Sequence, residues 1–280
     1  MKQKQVPFQN ALVQQQFYRL MIISSFVFVV SALFLRIITN LQTTVLLNYF
    51  DIKFQYRPYG IIFHSIGGTN WNDTRIMIVY GLGSMVFFVL GLILLRFTMA
   101  FKSFGFLSRL VMTWMSFLLI LILPMGMISG SIIYDGFGVA YTWLFDNVLV
   151  RLMVALVVFV LTLLTRPFWL TLFLKTAFST EIIDQHEERK DYIIRVLKVP
   201  YIAGTLIILP FVVMGQYWSW LVYLIGLGFI IFPVLNPQFP IDKPRITRTA
   251  GPVLNSRYAV IFMIMLILWF FSASFIRIEF

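Results

Sequence analysis

The chain contains no cysteine. That excludes disulfides, thiolate metal sites and cysteine nucleophiles. Histidine is almost as scarce, with only His64 and His186. Charged residues make up 12% of the chain, and 11 of its 280 residues are Asp or Glu. All eleven fall in expected loops or at span edges: Asp51, Asp73, Asp135, Asp146, Glu181, Asp184, Glu187, Glu188, Asp191, Asp242 and Glu279. Carboxylates inside a bilayer are the usual marks of proton relays and cation pathways. Their scarcity counts against a proton-coupled transporter. A membrane haem held by two histidines needs both on facing spans, and neither histidine lies in an expected span. P-loops and serine-nucleophile motifs are missing, and Gly81-Leu82-Gly83 lacks both the third glycine and the preceding strand of a dinucleotide fingerprint. His186-Glu187-Glu188-Arg189-Lys190 begins like a zinc-binding H-E-x-x-H helix, but Lys190 stands where the second histidine is needed.

What the chain does have is apolar surface. Sixty per cent of its residues are hydrophobic, against about 45–50% in ordinary soluble domains. A soluble fold of this size has nowhere to hide that excess, because over half of any folded surface is already apolar. The excess has to face lipid. Disorder, a secreted disulfide scaffold and a soluble nucleic-acid binder are excluded with it. The net charge of +11 is dispersed over several loops, as in the cytoplasmic loops of membrane proteins.

A spanning helix needs about 20 mostly apolar residues. Such runs predict an all-α polytopic protein with about seven spans, within a range of six to eight. They are Leu20–Arg36, Ile76–Leu95, Leu110–Tyr134, Val148–Leu174, Tyr201–Met214, Trp218–Val234 and Tyr258–Ile276. Beyond Arg36 the first run becomes polar, with Asn40, Gln42 and Asn48, and it could extend to Phe50. Residues 1–19 are read as an inner-side N-terminal segment, the first apolar run as a retained helix since no small-residue cleavage site follows it, and 20–280 as one transmembrane domain.

Lys and Arg set the orientation. With the N-terminus inside, fifteen fall in inner segments and five, Arg36, Lys53, Arg57, Arg75 and Arg277, in outer ones. This predicts a multi-pass protein of the plasma (cytoplasmic) membrane, N-terminus inside and C-terminus outside. Thr180–Lys198 reads as an amphipathic helix on the inner surface: Glu181 and Asp184 at its start and Arg195 and Lys198 at its end suit the helix dipole. It is a possible docking site for a partner. Trp71, Trp143, Trp218 and Trp220 lie near span ends and suit the membrane interface.

Arg151 and Arg166 lie within the fourth expected span and are candidates for contact with a lipid headgroup, an anion or a partner helix. An arginine there can also snorkel to the surface, and Pro167 beside Arg166 can kink the span. Gly126 and Gly130 form a G-x-x-x-G that permits close helix packing.

Three stretches in order carry a likeness. Ile38-Thr39-Asn40-Leu41-Gln42-Thr43-Thr44-Val45 is a helical stretch. A polar, glycine-bearing loop, Arg57–Asn72, leads into a span that begins Tyr80-Gly81-Leu82-Gly83-Ser84. Asn236-Pro237-Gln238-Phe239-Pro240-Ile241-Asp242 comes later. This order resembles the site-2-type intramembrane zinc proteases, whose H-E-x-x-H helix, membrane-edge loop and later aspartate build a metal site. The resemblance implies that Asp242 stands at the ligand aspartate. The Ile38–Val45 stretch has no histidine or glutamate, Lys243 stands where the family has glycine, and Leu82 replaces its proline. Zinc needs about three protein ligands and a water. The likeness therefore implies a degenerate, non-catalytic relative without a metal or other cofactor.

Three functions follow as expectations. The first is a non-catalytic scaffold or accessory subunit of a membrane complex, with other integral membrane proteins and lipid as partners. The second is a transporter or lipid-handling protein with a polar mid-membrane cavity near Thr162, Thr165 and Ser84. The third is an enzyme acting on lipid headgroups through Asp135, Asp146 and Asp242.

Overall fold

The structure is a computed structural model and describes residues 6–57, 60–63, 71–100, 105–133, 136–177, 184, 186–214, 218–232, 260–261, 264 and 278–279. Helix α1 runs over Val6–Tyr49. Hairpin strands β1 (Phe54–Arg57) and β2 (Gly60–Phe63) follow. A short helix α2 (Asp73–Ile76), a π-helical stretch (Met77–Leu82) and α3 (Gly83–Ala100) make one continuous rod. Next come α4 (Phe106–Gly130), the short α5 (Phe137–Leu144), α6 (Val148–Leu164) and α7 (Arg166–Leu174). A second continuous rod joins α8 (His186–Ile193), a π-helical stretch (Ile194–Lys198) and α9 (Val199–Met214). Helix α10 (Trp218–Ile231) and strand β3 (Ile278–Glu279) complete the described elements.

Five of the helical rods are long and apolar enough to cross a membrane. They are Gln15–Tyr49, Asp73–Ala100, Phe106–Gly130, Val148–Leu174 and Glu187–Pro210, and the 14-residue α10 is a shorter apolar helix. The protein is a helical multi-pass membrane protein. The expected span Tyr258–Ile276 and Asp242 lie outside the described residues. Helix α6 turns Leu149, Met153, Leu156, Leu161 and Leu164 outward. Exposed apolar side chains in this density fit a helix bathed in lipid.

Four features differ from the sequence reading. Helix α1 runs unbroken past Arg36 to Tyr49, because no glycine or internal proline interrupts it after Pro7. Its polar hydroxyls do not break it either: those of Thr39, Thr43 and Thr44 donate to carbonyls one turn earlier. The fourth span is broken at Thr165, and Pro167 sits in the first turn of α7, where its missing N–H costs nothing. Of the Thr180–Lys198 helix, expected on the headgroups or on its own bundle, the described residues from His186 onward lie on the bundle. From His186 onward it is the start of the fifth rod, and Tyr192, Ile193, Val196 and Leu197 are buried in the main core. Its apolar side is taken up by the bundle itself. Last, a small antiparallel sheet of order β2-β1-β3 caps one end, with Gln55 opposite Glu279 and Tyr56 opposite Ile278.

The core is aromatic. Trp114 on α4 meets Phe28 and Phe173 edge-on, each with ring centroids 4.8 Å apart. Phe117 meets Trp169 at 4.9 Å. Such edge-to-face pairs add about 0.5–1.5 kcal/mol each beyond area burial. One polar chain runs through this core. Trp114 Nε1 donates to Ser24 Oγ at 2.9 Å, and Ser24 donates to the Val196 carbonyl at 2.6 Å. Val196 lies in the second π-helical stretch, whose wider turn alters the usual backbone pairing. Ser24 thus ties three rods together and leaves its own hydroxyl satisfied.

Candidate functional site

The polar groups of α1 change character after Leu35. Arg36, Thr39, Asn40 and Thr43 stand at i, i+3, i+4 and i+7 and share one helix face. With Gln42 at its edge, this face lines a cavity of about 150 Å³ at the end of the bundle that carries the hairpin. The opposite walls are Tyr80, Gly83 and Ser84 at the start of α3, Gly126 and Ser129 near the end of α4, and Gly136, Phe137, Ser219, Trp220 and Tyr223. A cavity of that size has room for several waters or a small polar group.

Local structure explains each wall. Gly83 lets α3 close on α1: a Cβ there would collide with the Gln42 side-chain amide. Gly136 has φ 54°, the left-handed region open to glycine, and it turns the chain from α4 into α5. The Arg36 guanidinium lies 5.4 Å from the centre of the Trp220 ring, a cation–π contact that links α1 to α10. Tyr80 stacks on Trp71 with ring centroids 6.0 Å apart. Tyr223 faces inward and donates its hydroxyl to the Leu118 carbonyl at 2.8 Å.

The hydrogen-bonding state of this lining is uneven. The Thr39, Thr43 and Ser129 hydroxyls donate to carbonyls of their own helices, so their oxygens offer lone pairs to the cavity. Gln42 Nε2 is buried and has no acceptor. An amide nitrogen in that state costs about 1–3 kcal/mol relative to a paired one. Among the described lining residues Arg36 carries the one formal charge, and there is no carboxylate and no histidine.

The residues singled out from sequence are distributed otherwise. Arg166 donates to the Phe229 carbonyl. Phe229 is in the last turn of α10, where helix carbonyls lack an internal donor, and a guanidinium there also meets the negative end of the dipole. Its Nε has no partner. Arg151 is in the first turn of α6; its carbonyl accepts from the Tyr141 hydroxyl at 2.9 Å, and its Nε is buried without a partner. Burial pushes the Tyr141 phenol above its ordinary pKa, and the Arg151 charge opposes that shift. Neither arginine lines the cavity. Gly126 and Gly130 bring the short helix α5 close to α4: a Cβ on Gly130 would lie 2.6 Å from Gly138 Cα, and one on Gly126 would lie 3.0 Å from Phe137 Cβ. Gly126 also lines the cavity. Of the three polar residues expected around a mid-membrane cavity, only Ser84 lines it; Thr162 and Thr165 bond to their own helix.

Sequence reasoning placed Arg36 and Trp220 at membrane interfaces and passed over Gln42 as a site residue. The signal that finds them is the polar i, i+3, i+4, i+7 stripe inside an otherwise apolar run. Two stretches of the protease-like pattern, Ile38–Val45 and Tyr80–Ser84, do meet at this cavity. Comparisons of the chain with protein-family models, with curated proteins and with solved structures gave no match.

Proposed function

We propose that this chain is a non-catalytic, lipid-handling membrane protein that holds the polar head of a membrane amphiphile in the cavity between α1, α3, α4 and α10. The observation that carries the reading is the polar stripe of α1 facing a partly open cavity beside a largely apolar, aromatic core. A polar wall within a membrane bundle is costly unless something polar fills it. Its lining has side-chain donors, lone pairs and aromatic faces but no described acid–base pair.

The test is native mass spectrometry of the protein extracted in mild detergent. The expected result is a stoichiometric amphiphile retained by the wild type and lost on Ser84→Phe, which fills the cavity from α3. Retention of the same amphiphile by Ser84→Phe, with the fold intact, overturns the reading.

A second reading keeps a specific support. A pseudoprotease-like scaffold, or an accessory subunit of a membrane complex, is favoured by the meeting of Ile38–Val45 and Tyr80–Ser84 at one cavity without a histidine or carboxylate in its described lining. Co-purification of a membrane partner that survives Ser84→Phe would favour it. Under both readings the excess of Lys and Arg favours an N-terminus on the cytoplasmic side and a cavity toward the outer face of the plasma membrane. Single cysteines at Asp146 and Glu187, both exposed, test this in a chain with no native thiol. Labelling of position 146 from outside and 187 from inside is expected, and the reverse pattern sinks the orientation.

A further inference from the structure

Resting on the head-group reading above, we infer that the cavity takes a small neutral polyol head, glycerol-like in size, whose free hydroxyls are met by those of Ser84, Thr39 and Thr43. Charge narrows the chemistry first. The described lining has no carboxylate, and its one cation, Arg36, is already held against Trp220 and belongs to the wall. A choline-like head would meet like charge with no acidic side chain to neutralise it. An anionic head would find no uncommitted cation among the described lining residues. A charge left uncompensated inside a membrane bundle is costly, and a neutral head brings none.

Hydrogen bonding narrows it further. Ser84 lines the cavity from the start of α3 and is half-buried, and no hydrogen bond ties its hydroxyl to another described residue. A hydroxyl in that state both donates and accepts. Thr39 and Thr43 lie one turn apart on the α1 wall, also half-buried, with their protons held by carbonyls of α1. All they offer an occupant is lone pairs, and lone pairs call for a donor. An ester or ketone head only accepts, so it would serve Ser84 and leave the threonines unmet. A head with two hydroxyls donates to the threonine oxygens and bonds Ser84 as well. Room for several waters suits a three-carbon polyol and excludes a chain of sugars. Leu82 and Met85, flanking Gly83 and Ser84, turn apolar side chains outward from α3. They form a surface along which an acyl chain lies while its head is in the partly open cavity.

The experiment measures binding of probes to the detergent-purified full chain by equilibrium dialysis, corrected for partition into empty micelles. The probes are 1-decanoylglycerol, propyl decanoate, dihexanoyl phosphatidylglycerol, dihexanoyl phosphatidylcholine and glycerol. Propyl decanoate has the same three-carbon head without its hydroxyls. Binding of 1-decanoylglycerol about tenfold tighter than propyl decanoate is expected, because a site built for hydroxyls rejects the analogue that lacks them. It should also bind more tightly than either phospholipid. Ser84→Ala should weaken it severalfold, and so should Thr39→Val combined with Thr43→Val, with thermal midpoints near that of the wild type. Should the double threonine variant fail to fold, Ser84→Ala carries the test. Propyl decanoate binding as tightly as the glyceride, with both variants unchanged, overturns the polyol assignment and leaves the amphiphile reading standing. Either phospholipid binding more tightly than the glyceride overturns the neutral head in the same way. Glycerol binding as tightly as the glyceride, and lost in the same variants, supports the polyol assignment and overturns the amphiphile reading. Binding of every probe unchanged in Ser84→Phe, or no binding of any probe, overturns both.

Discussion

The two halves of α1 show how one helix serves two purposes. From Phe17 to Leu35 it packs against α4 and the α8–α9 rod, and its buried Ser24 is satisfied on both sides by Trp114 and Val196. From Arg36 to Thr43 it lines a cavity, and Gln42 there keeps an unmet donor. Both stretches place hydrogen-bonding side chains within a membrane bundle. The first uses them to fix the packing of three rods, and the second lines a cavity with groups held by their own helix or by Trp220 and leaves the Gln42 amide nitrogen unpaired. Groups that stabilise a fold are paired by the fold itself, and groups kept for a ligand are left partly unpaired at a cost in stability.

The largest effect that would break this comparison lies in the first half. Trp114→Ala removes a fully buried indole from the aromatic core and should cost about 3–5 kcal/mol. In detergent the variant should lose most of its monodisperse peak in size-exclusion chromatography. A variant as stable as the wild type would mean that the core is not where the helices are locked.

Ser24→Ala comes next. It strands the Trp114 N–H and removes the donor to the Val196 carbonyl. Hydrogen bonds inside membranes average about 0.6 kcal/mol, and an orphaned buried group costs about 1–3 kcal/mol. A loss of about 1–2 kcal/mol in reversible detergent unfolding is expected. Ser24→Ala should cost less in a Trp114→Phe background than in the wild type, since the stranded donor is then gone. Equal costs in the two backgrounds would show that the chain from Trp114 through Ser24 is not one unit.

In the second half the sign changes. Gln42→Leu replaces an unpaired amide by an apolar group of similar length, so stability should stay within about 0.5 kcal/mol of the wild type or rise. Amphiphile binding should fall all the same. A drop in stability matching that of Ser24→Ala would erase the distinction between the two halves.

The smallest effect sharpens the comparison further. Gly83→Ala puts a methyl where the Gln42 amide lies. The Gln42 side chain is flexible, so it should swing aside at a cost under about 1 kcal/mol. The expected readout is weaker probe binding with a thermal midpoint shifted by only a few degrees. Unchanged binding would show that the position of the Gln42 amide does not matter.

The helical membrane class was legible from the 60% apolar composition and the long runs alone. Five of the seven expected runs coincide in the main with helices long enough to span, and Trp218–Val234 overlaps the shorter α10. Span interiors read well because the bilayer forces every backbone group into a helix. Boundaries read less well. Hydropathy marks where a chain leaves hydrocarbon, and α1 continues as a helix past that point with no glycine or proline after Pro7, while the α8–α9 rod continues through Pro200 with a π-helical stretch just before it. The hairpin was read as a polar loop, since two four-residue strands carry too little pattern to outweigh Arg57-Pro58-Tyr59-Gly60.

The site was less legible than the fold. Arginines within apolar runs drew attention to Arg151 and Arg166; the Arg166 guanidinium meets the end of α10, and Arg151 meets Tyr141 through its main-chain carbonyl. Arg36 looked like an edge residue because it closes the densest apolar run. The stripe of Arg36, Thr39, Asn40 and Thr43 was present in the sequence, but a stripe states only that one face is polar. It does not state what that face meets.

The sequence by itself determined that this chain lives in a membrane, where its apolar rods lie, and that neither cysteine chemistry nor a pair of in-span histidines is open to it. Those conclusions depend on composition and on the period of single helices, which are local properties. Only the tertiary structure decided that Ser24 is paired and Gln42 is not, that Trp220 sits under Arg36, and that the stripe of α1 faces α3, α4 and α10 across a cavity. Each of those is a contact between residues distant in the chain. Whether a polar side chain is satisfied depends on which neighbour folding brings to it.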